Sequence, residues 1–237
     1  MSIPAVKSSG LSKTYGEGDS EVHALRSATF EVPKGEFVVL LGPSGSGKTT
    51  LLNQVGALES PTSGDIEAIG VSLGDLDESG RTQYRLDSVG FVFQFYNLVP
   101  TLTARENVEL VAELTGEGPA ARTESVLSDV GLGDRLDHFP AQMSGGEQQR
   151  VSIARGLVKD PPLLLCDEPT GALDVATGKQ ILGLLRSTTE GEDRSVFLVT
   201  HNTEIARMAD RVIRLRDGEI IDDSPNPAPV LPEHLDW

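Results

Sequence analysis

This 237-residue sequence predicts an α/β fold, and three observations carry the prediction. A β-rich apolar run, FVVLLG at 37–42, opens directly into GPSGSGKTTLLNQVGAL at 42–58, so strand, glycine loop and helix follow one another. A second apolar run, LLLC at 163–166, ends on two carboxylates, and strand-like and helix-like segments alternate from there to residue 221. The first thirty residues alternate loosely instead, which predicts antiparallel strands on one side of the domain.

In chain order, GEGDSE at 16–21 is a polar turn between LSKTY and VHALRSATFEV, and PKGE at 33–36 turns the chain into FVVLLG. From about 59 to 95 the sequence predicts short strands and turns, ending in SVGFVFQFYNLVP. Residues 101–138 are predicted mostly helical with breaks at TGEGP and GLGD; charged positions between apolar ones suit a small helical subdomain with a solvated outer face. A helix over 144–158, a DPP turn, the strand LLLCD and a helix over 174–187 come next. They are followed by the strand RSVFLVTH at 194–201, a helix from about 203 to 209, and a hairpin over 211–221 around Asp217 and Gly218. From 222 the proline-rich DDSPNPAPVLPEHLDW is expected to be extended, either a small docking arm or a disordered end.

Composition narrows the function. With 36 acidic against 20 basic residues the formal net charge is -16, which leaves nothing to offset phosphate repulsion along a nucleic acid. Arginines outnumber lysines and the acidic excess is spread along the chain, a pattern that suits a high-salt cytoplasm or an ordinary acidic protein. No apolar run approaches the roughly 20 residues of a spanning helix. The single cysteine, Cys166, lies in an apolar run and suits core packing in a reducing compartment.

GPSGSGKT (Gly42, Pro43, Ser44, Gly45, Ser46, Gly47, Lys48, Thr49) fills the phosphate-loop pattern between a predicted strand and helix. Its glycines let successive amides curl inward as an anion nest at a helix N-terminus; Lys48 reaches the β- and γ-phosphates, and the Thr49 hydroxyl suits Mg²⁺. Asp167 ends the strand LLLCD, where it can hold the magnesium shell. The next carboxylate, Glu168, points elsewhere and can orient and deprotonate water. His201 ends the next strand at the same sheet edge, with an imidazole that can hydrogen-bond the γ-phosphate and the water. Gln94 closes GFVF, where its amide oxygen can complete the magnesium shell and report nucleotide state to the helical segment.

Together GPSGSGKT, GFVFQ, MSGGEQQR, LLLCDEPTGALD and the histidine of VTH resemble the nucleotide-binding subunit of an ATP-binding cassette (ABC) transporter over about residues 6–221. The wording GFVFQFYNLVPTLTARENVEL and DEPTGALD is similar to the lipoprotein-release, macrolide-export and cell-division ATPases, described as working with a separate permease. The resemblance implies a P-loop NTPase core of ABC ATPase type with an N-terminal antiparallel β subdomain and an inserted α-helical subdomain. The domain would span 1–221, with the helical part about 96–158 and a tail over 222–237.

It further implies ATP and Mg²⁺ as ligands, Tyr15 stacked on adenine, Ser44 to Thr50 around the phosphates, Gln94 as a lid between lobes and Glu168 as general base. Two copies would pack head to tail, Ser144, Gly145 and Gly146 of one completing the site of the other and Asp174 crossing the interface. A membrane permease would hold the pair at the inner face of the cell membrane, on the cytoplasmic side, with no nucleic acid involved. A regulatory ATPase on a permease-like partner, or a non-transport ATPase of the same class, are the alternatives. Two positions depart from the commonest wording: Met143 for Leu, a nearly volume-neutral change, and Glu147 for Gln. Ser144 and Glu147 have the spacing of a capping box, in which Glu147 turns back to the Ser144 amide while the Ser144 hydroxyl keeps its hydrogen for a γ-phosphate.

Overall fold

The computed structural model describes residues 3–115, 119–190 and 194–236. Strands β1 (Val6–Tyr15), β2 (Val22–Val32), β4 (Ser63–Ala68) and β5 (Val71–Ser72) form an antiparallel sheet in the order β2-β1-β4-β5. Strands β3 (Phe37–Leu41), β6 (Val89–Val92), β7 (Leu163–Asp167), β8 (Ser195–Thr200), β9 (Arg211–Arg216) and β10 (Glu219–Pro225) form a second sheet in the order β10-β9-β3-β8-β7-β6. All its pairings are parallel except the β9–β10 hairpin.

Period-two alternation divides that sheet's side chains between two cores. Phe37, Val39 and Leu41 of β3 join Leu164 and Cys166 of β7 on the face covered by helices α3 (Ala104–Ala112), α5 (Gly145–Leu157) and α6 (Val175–Ser187). Val38 and Leu40 join Leu163 and Leu165 on the face covered by the antiparallel sheet and helix α1 (Lys48–Val55). The β3 strand is buried on both faces, which is why its sequence reads as an unbroken apolar run. Cys166 is fully buried, and burial pushes its thiol pKa up.

Two expectations are corrected. Residues 78–88 form a helix, α2 (Glu78–Ser88), where strands and turns were expected; the Asp77 carboxylate accepts the Gly80 amide at 2.7 Å to start it. Tyr84 is its one buried residue, so the segment carries no apolar period to read. The segment after residue 221 is neither a free arm nor disordered, because β10 continues to Pro225 across the expected boundary. Beyond it the Asn226 amide donates to the Asp210 carbonyl at 2.7 Å and the Val230 amide to the Arg207 carbonyl at 3.0 Å. Leu235 is fully buried in the helix-side core.

Helix α4 (Pro119–Asp129) follows α3, and its end at Asp129 fits the break at GLGD; of the TGEGP break, residues 116–118 lie outside the described residues. The short helix α7 (Thr203–Ala206) ends earlier than the 209 expected. Among the described residues no helix is long and apolar enough to cross a membrane.

Candidate functional site

The turn from β3 into α1 is held from outside by backbone. A Cβ on Gly47, whose φ is 99°, would lie 2.3 Å from the Ala24 carbonyl, and one on Gly42 would lie 2.2 Å from the Leu215 carbonyl. Only glycine fits where β2 and β9 press on the loop. The curled loop leaves the amides of Gly45, Gly47, Lys48 and Thr49 with no hydrogen bond among the described residues. Unpaired amides at a helix N-terminus, with the helix dipole behind them, form an anion site. Among the described residues the Ser46 hydroxyl is buried without a partner and the Lys48 ammonium donates only to the Pro43 carbonyl, at 2.8 Å.

Asp167 ends β7 across from α1, and the Thr49 hydroxyl donates to its carboxylate at 3.3 and 3.4 Å. Burial raises the Asp167 pKa, with Glu168 adding to the rise and Thr49 and Lys48 opposing it; burial lowers that of Lys48. A hydroxyl and a carboxylate side by side are hard oxygen donors of the kind Mg²⁺ shares with phosphate. Among the described residues no group of three or more His, Cys, Asp or Glu stands together as a metal cage.

Glu168 follows in a left-handed conformation, φ 44°. Its amide donates to the Val199 carbonyl, bracing it against β8, and its Oε1 lies 3.0 Å from His201 Nδ1. His201 therefore holds Glu168 with one ring nitrogen and keeps Nε2 for another partner. Gln94 sits two residues past the end of β6, and a Cβ on Gly171 would lie 2.8 Å from its Nε2; no hydrogen bond among the described residues ties it to Thr49 or Asp167. The residues after it, Tyr96 and Asn97, are both left-handed, and Arg155 clamps their carbonyls at 2.8 and 2.6 Å. Tyr15 ends β1, with Lys13 over its ring at 5.1 Å and its hydroxyl on Glu59, which also accepts Asn53 of α1.

Ser144, Gly145, Gly146 and Asp174 stand apart from this cluster: among the described residues no hydrogen bond or ion pair joins them to residues 42–50. They start α5 and α6 side by side, a Cβ on Gly146 falling 2.4 Å from Thr177 of α6. The Gly145 and Gly146 amides have no hydrogen bond among the described residues. Asp174 caps α6, accepting the Thr177 amide at 3.1 Å and its hydroxyl at 2.6 Å. The Ser144–Glu147 capping box is present, but with a correction: the Ser144 hydroxyl also donates to Glu147 Oε2 at 2.8 Å, so its hydrogen is engaged. Sequence reasoning missed Arg135, whose Nε lies 3.1 Å from Glu147 Oε1. The Ser144 amide and hydroxyl, then Arg135, hold the Glu147 pKa below the usual range.

A groove of about 530 Å³ lies beside α2, β6 and α3, lined by Leu58, Val89, Phe91, Phe93, Leu110 and Leu114, with Arg85, Arg155 and Lys159 also lining it. Burial lowers the Lys159 pKa to about 8.

A family model described as "ABC transporter" matches residues 25–171. The chain is 44% identical over 222 residues to an uncharacterized ABC transporter ATP-binding protein, MJ0796, of Methanocaldococcus jannaschii, covering 91% of this chain and 94% of that protein. It is 43% identical over 224 residues to the macrolide export ATP-binding/permease protein MacB of Marinobacter nauticus, covering 93% of this chain and 35% of that one. The chain thus spans about a third of such relatives, whose name joins ATP binding and permease in one protein; for them the expected separate permease does not hold. The fold superposes with TM-score 0.86 and 41% identity on the dimeric post-hydrolysis state of the ATP-binding cassette MJ0796 bound to ADP and Pi, over 94% of this chain and 99% of that one. It superposes at TM-score 0.85 and 27% identity on cbiO1 from Clostridium perfringens, part of the ABC transporter complex cbiONQ, over 94% and 89% of the two chains.

Proposed function

The chain belongs to the ABC transporter family as an ATP-binding, ATP-hydrolysing domain, and we propose that two copies close head to tail on Mg-ATP and thereby drive a membrane permease of the exporter or lipid, lipoprotein or macrolide efflux type. One observation carries the reading: four amides unpaired among the described residues and a buried lysine converge at the N-terminus of α1, beside a carboxylate and hydroxyl that suit a hard cation.

In this reading residues 42–50 hold the triphosphate. Lys48 leaves the Pro43 carbonyl for the β- and γ-phosphates, whose charge restores the ammonium that burial disfavours. Thr49 and Asp167 would hold Mg²⁺, with Gln94, two residues past β6, the side chain that would complete the same shell. When bound, the ion offsets the negative charge of the β- and γ-phosphates. Glu168, fixed by His201, orients a water and takes its proton as the water oxygen bonds to the γ-phosphorus and the bond to the β-phosphate oxygen breaks. With both ring nitrogens protonated, His201 donates from Nδ1 to Glu168 and from Nε2 to the γ-phosphate, and the Tyr15 ring lies against adenine.

The separation of Ser144, Gly145, Gly146 and Asp174 from the nest supports a site divided between two chains, as do the dimers formed by the MJ0796 cassette. The apolar groove beside α2, β6 and α3 is a suitable seat for a helical segment of the permease, and the same seat would hold the domain at the membrane's inner face.

Glu168→Gln should keep nucleotide affinity, lose most turnover and accumulate a dimer in Mg-ATP on size-exclusion chromatography. A variant that stays monomeric, or turns over ATP at the parent rate, would defeat the reading.

A further inference from the structure

We infer that Arg135, acting through Glu147, controls when the Ser144 hydroxyl is released to the partner's triphosphate, and so sets how much ATP closure requires. The inference rests on the two-chain site proposed above.

A serine hydroxyl has one hydrogen to give. Here the Ser144 hydroxyl gives it to Glu147 Oε2 at 2.8 Å, the oxygen that also accepts the Ser144 amide at 2.8 Å. A phosphate arriving from the facing chain therefore competes with a carboxylate for that hydrogen and meets a like charge beside it. Glu147 Oε1 is 3.1 Å from Arg135 Nε, so the carboxylate has a second partner to which it can turn when Ser144 lets go. Arg135 is itself set in a backbone turn: its amide donates to the Leu132 carbonyl at 2.9 Å and its carbonyl accepts the His138 amide at 3.0 Å. Asp134 and Arg150 line a cavity together with Arg135 and Glu147, but Arg150 is committed to the Val130 carbonyl and Gln180 at 3.1 and 2.9 Å.

The molecule contains its own control. Helix α3 opens with the same box, Glu106 Oε2 accepting the Thr103 amide at 2.7 Å and hydroxyl at 2.9 Å. Among the described residues Glu106 has no ion pair, so capping alone requires no arginine. The arginine accompanies the box at the proposed interface. Arg135 is in this sense a positioning residue, neutralising Glu147 and giving it somewhere to go.

The test uses the full chain carrying Glu168→Gln and reads the Mg-ATP concentration for half dimerisation by sedimentation velocity. Glu147→Gln keeps the box without the charge and should lower that concentration about fivefold, whereas Arg135→Gln should raise it about fivefold. Arg135→Lys should recover most of the loss, and Arg135→Gln added to Glu147→Gln should change nothing further. Glu106→Gln should leave half closure at the parent value, and ATP affinity of the single chain, by calorimetry, should be equal in all variants. Shifts of Glu147→Gln and Arg135→Gln in the same direction, an Arg135→Gln effect that survives in the Glu147→Gln background, or altered single-chain affinity would overturn the proposal. A Glu168→Gln chain that never dimerises would remove the two-chain site itself, and this proposal with it.

Discussion

Asp167 and Lys48 are both held in ionisation states that their burial disfavours, one carboxylate raised and one ammonium lowered. An acid whose folded pKa exceeds its unfolded value binds protons better in the fold. Its charge therefore costs stability above the folded pKa, and the cost disappears as pH falls through that value. At neutral pH the cost is in force. Asp167→Asn should accordingly raise the melting temperature of the nucleotide-free chain by about 2 °C while removing the magnesium dependence of ATP affinity. Calorimetric titrations with and without magnesium check the second half, and an unchanged magnesium dependence would rule out the metal role. These residues were legible because chemistry and spacing coincide: GPSGSGKT is contiguous, and Asp167 and Glu168 end an apolar strand. Arg135 was not legible, since it reaches Glu147 from twelve residues away through a turn that no periodicity encodes.

Among the elements, strands and helices with one buried stripe could be read directly, and the fold class followed from them. The polar helix α2 could not, because only Tyr84 is buried in it and its start depends on a single aspartate cap. The segment after β10 failed for a different reason: its prolines suggested independence, while its anchoring comes from carbonyls of Arg207, Ala209 and Asp210 and from the burial of Leu235. The tail packs along α6, where Lys179 donates to the Glu233 carbonyl at 3.2 Å. Leu235→Ala should therefore cost about 2–5 kcal/mol in urea unfolding, the range for a leucine truncated in a core. A cost near zero would show that the tail is only laid on the surface.

For the molecule as a whole, the formal charge of -16 opposes the approach of a second copy. Screening shortens from about 10 Å at 0.1 M salt to about 3 Å at 1 M, so dimers of the Glu168→Gln chain in saturating Mg-ATP should live longer as potassium chloride rises over that range. Chase experiments with unlabelled chain would measure it, and a falling lifetime would mean that local attractions across the interface outweigh the net repulsion. The parallel sheet that separates the two cores also contains the chain's single thiol, sealed in β7 one residue before Asp167. A sulfhydryl reagent can reach Cys166 only when the helices over that face part from β7. Its labelling rate is thus a built-in clock for the opening of the core between helices and sheet, and any ligand that braces the Thr49–Asp167 contact should slow that clock.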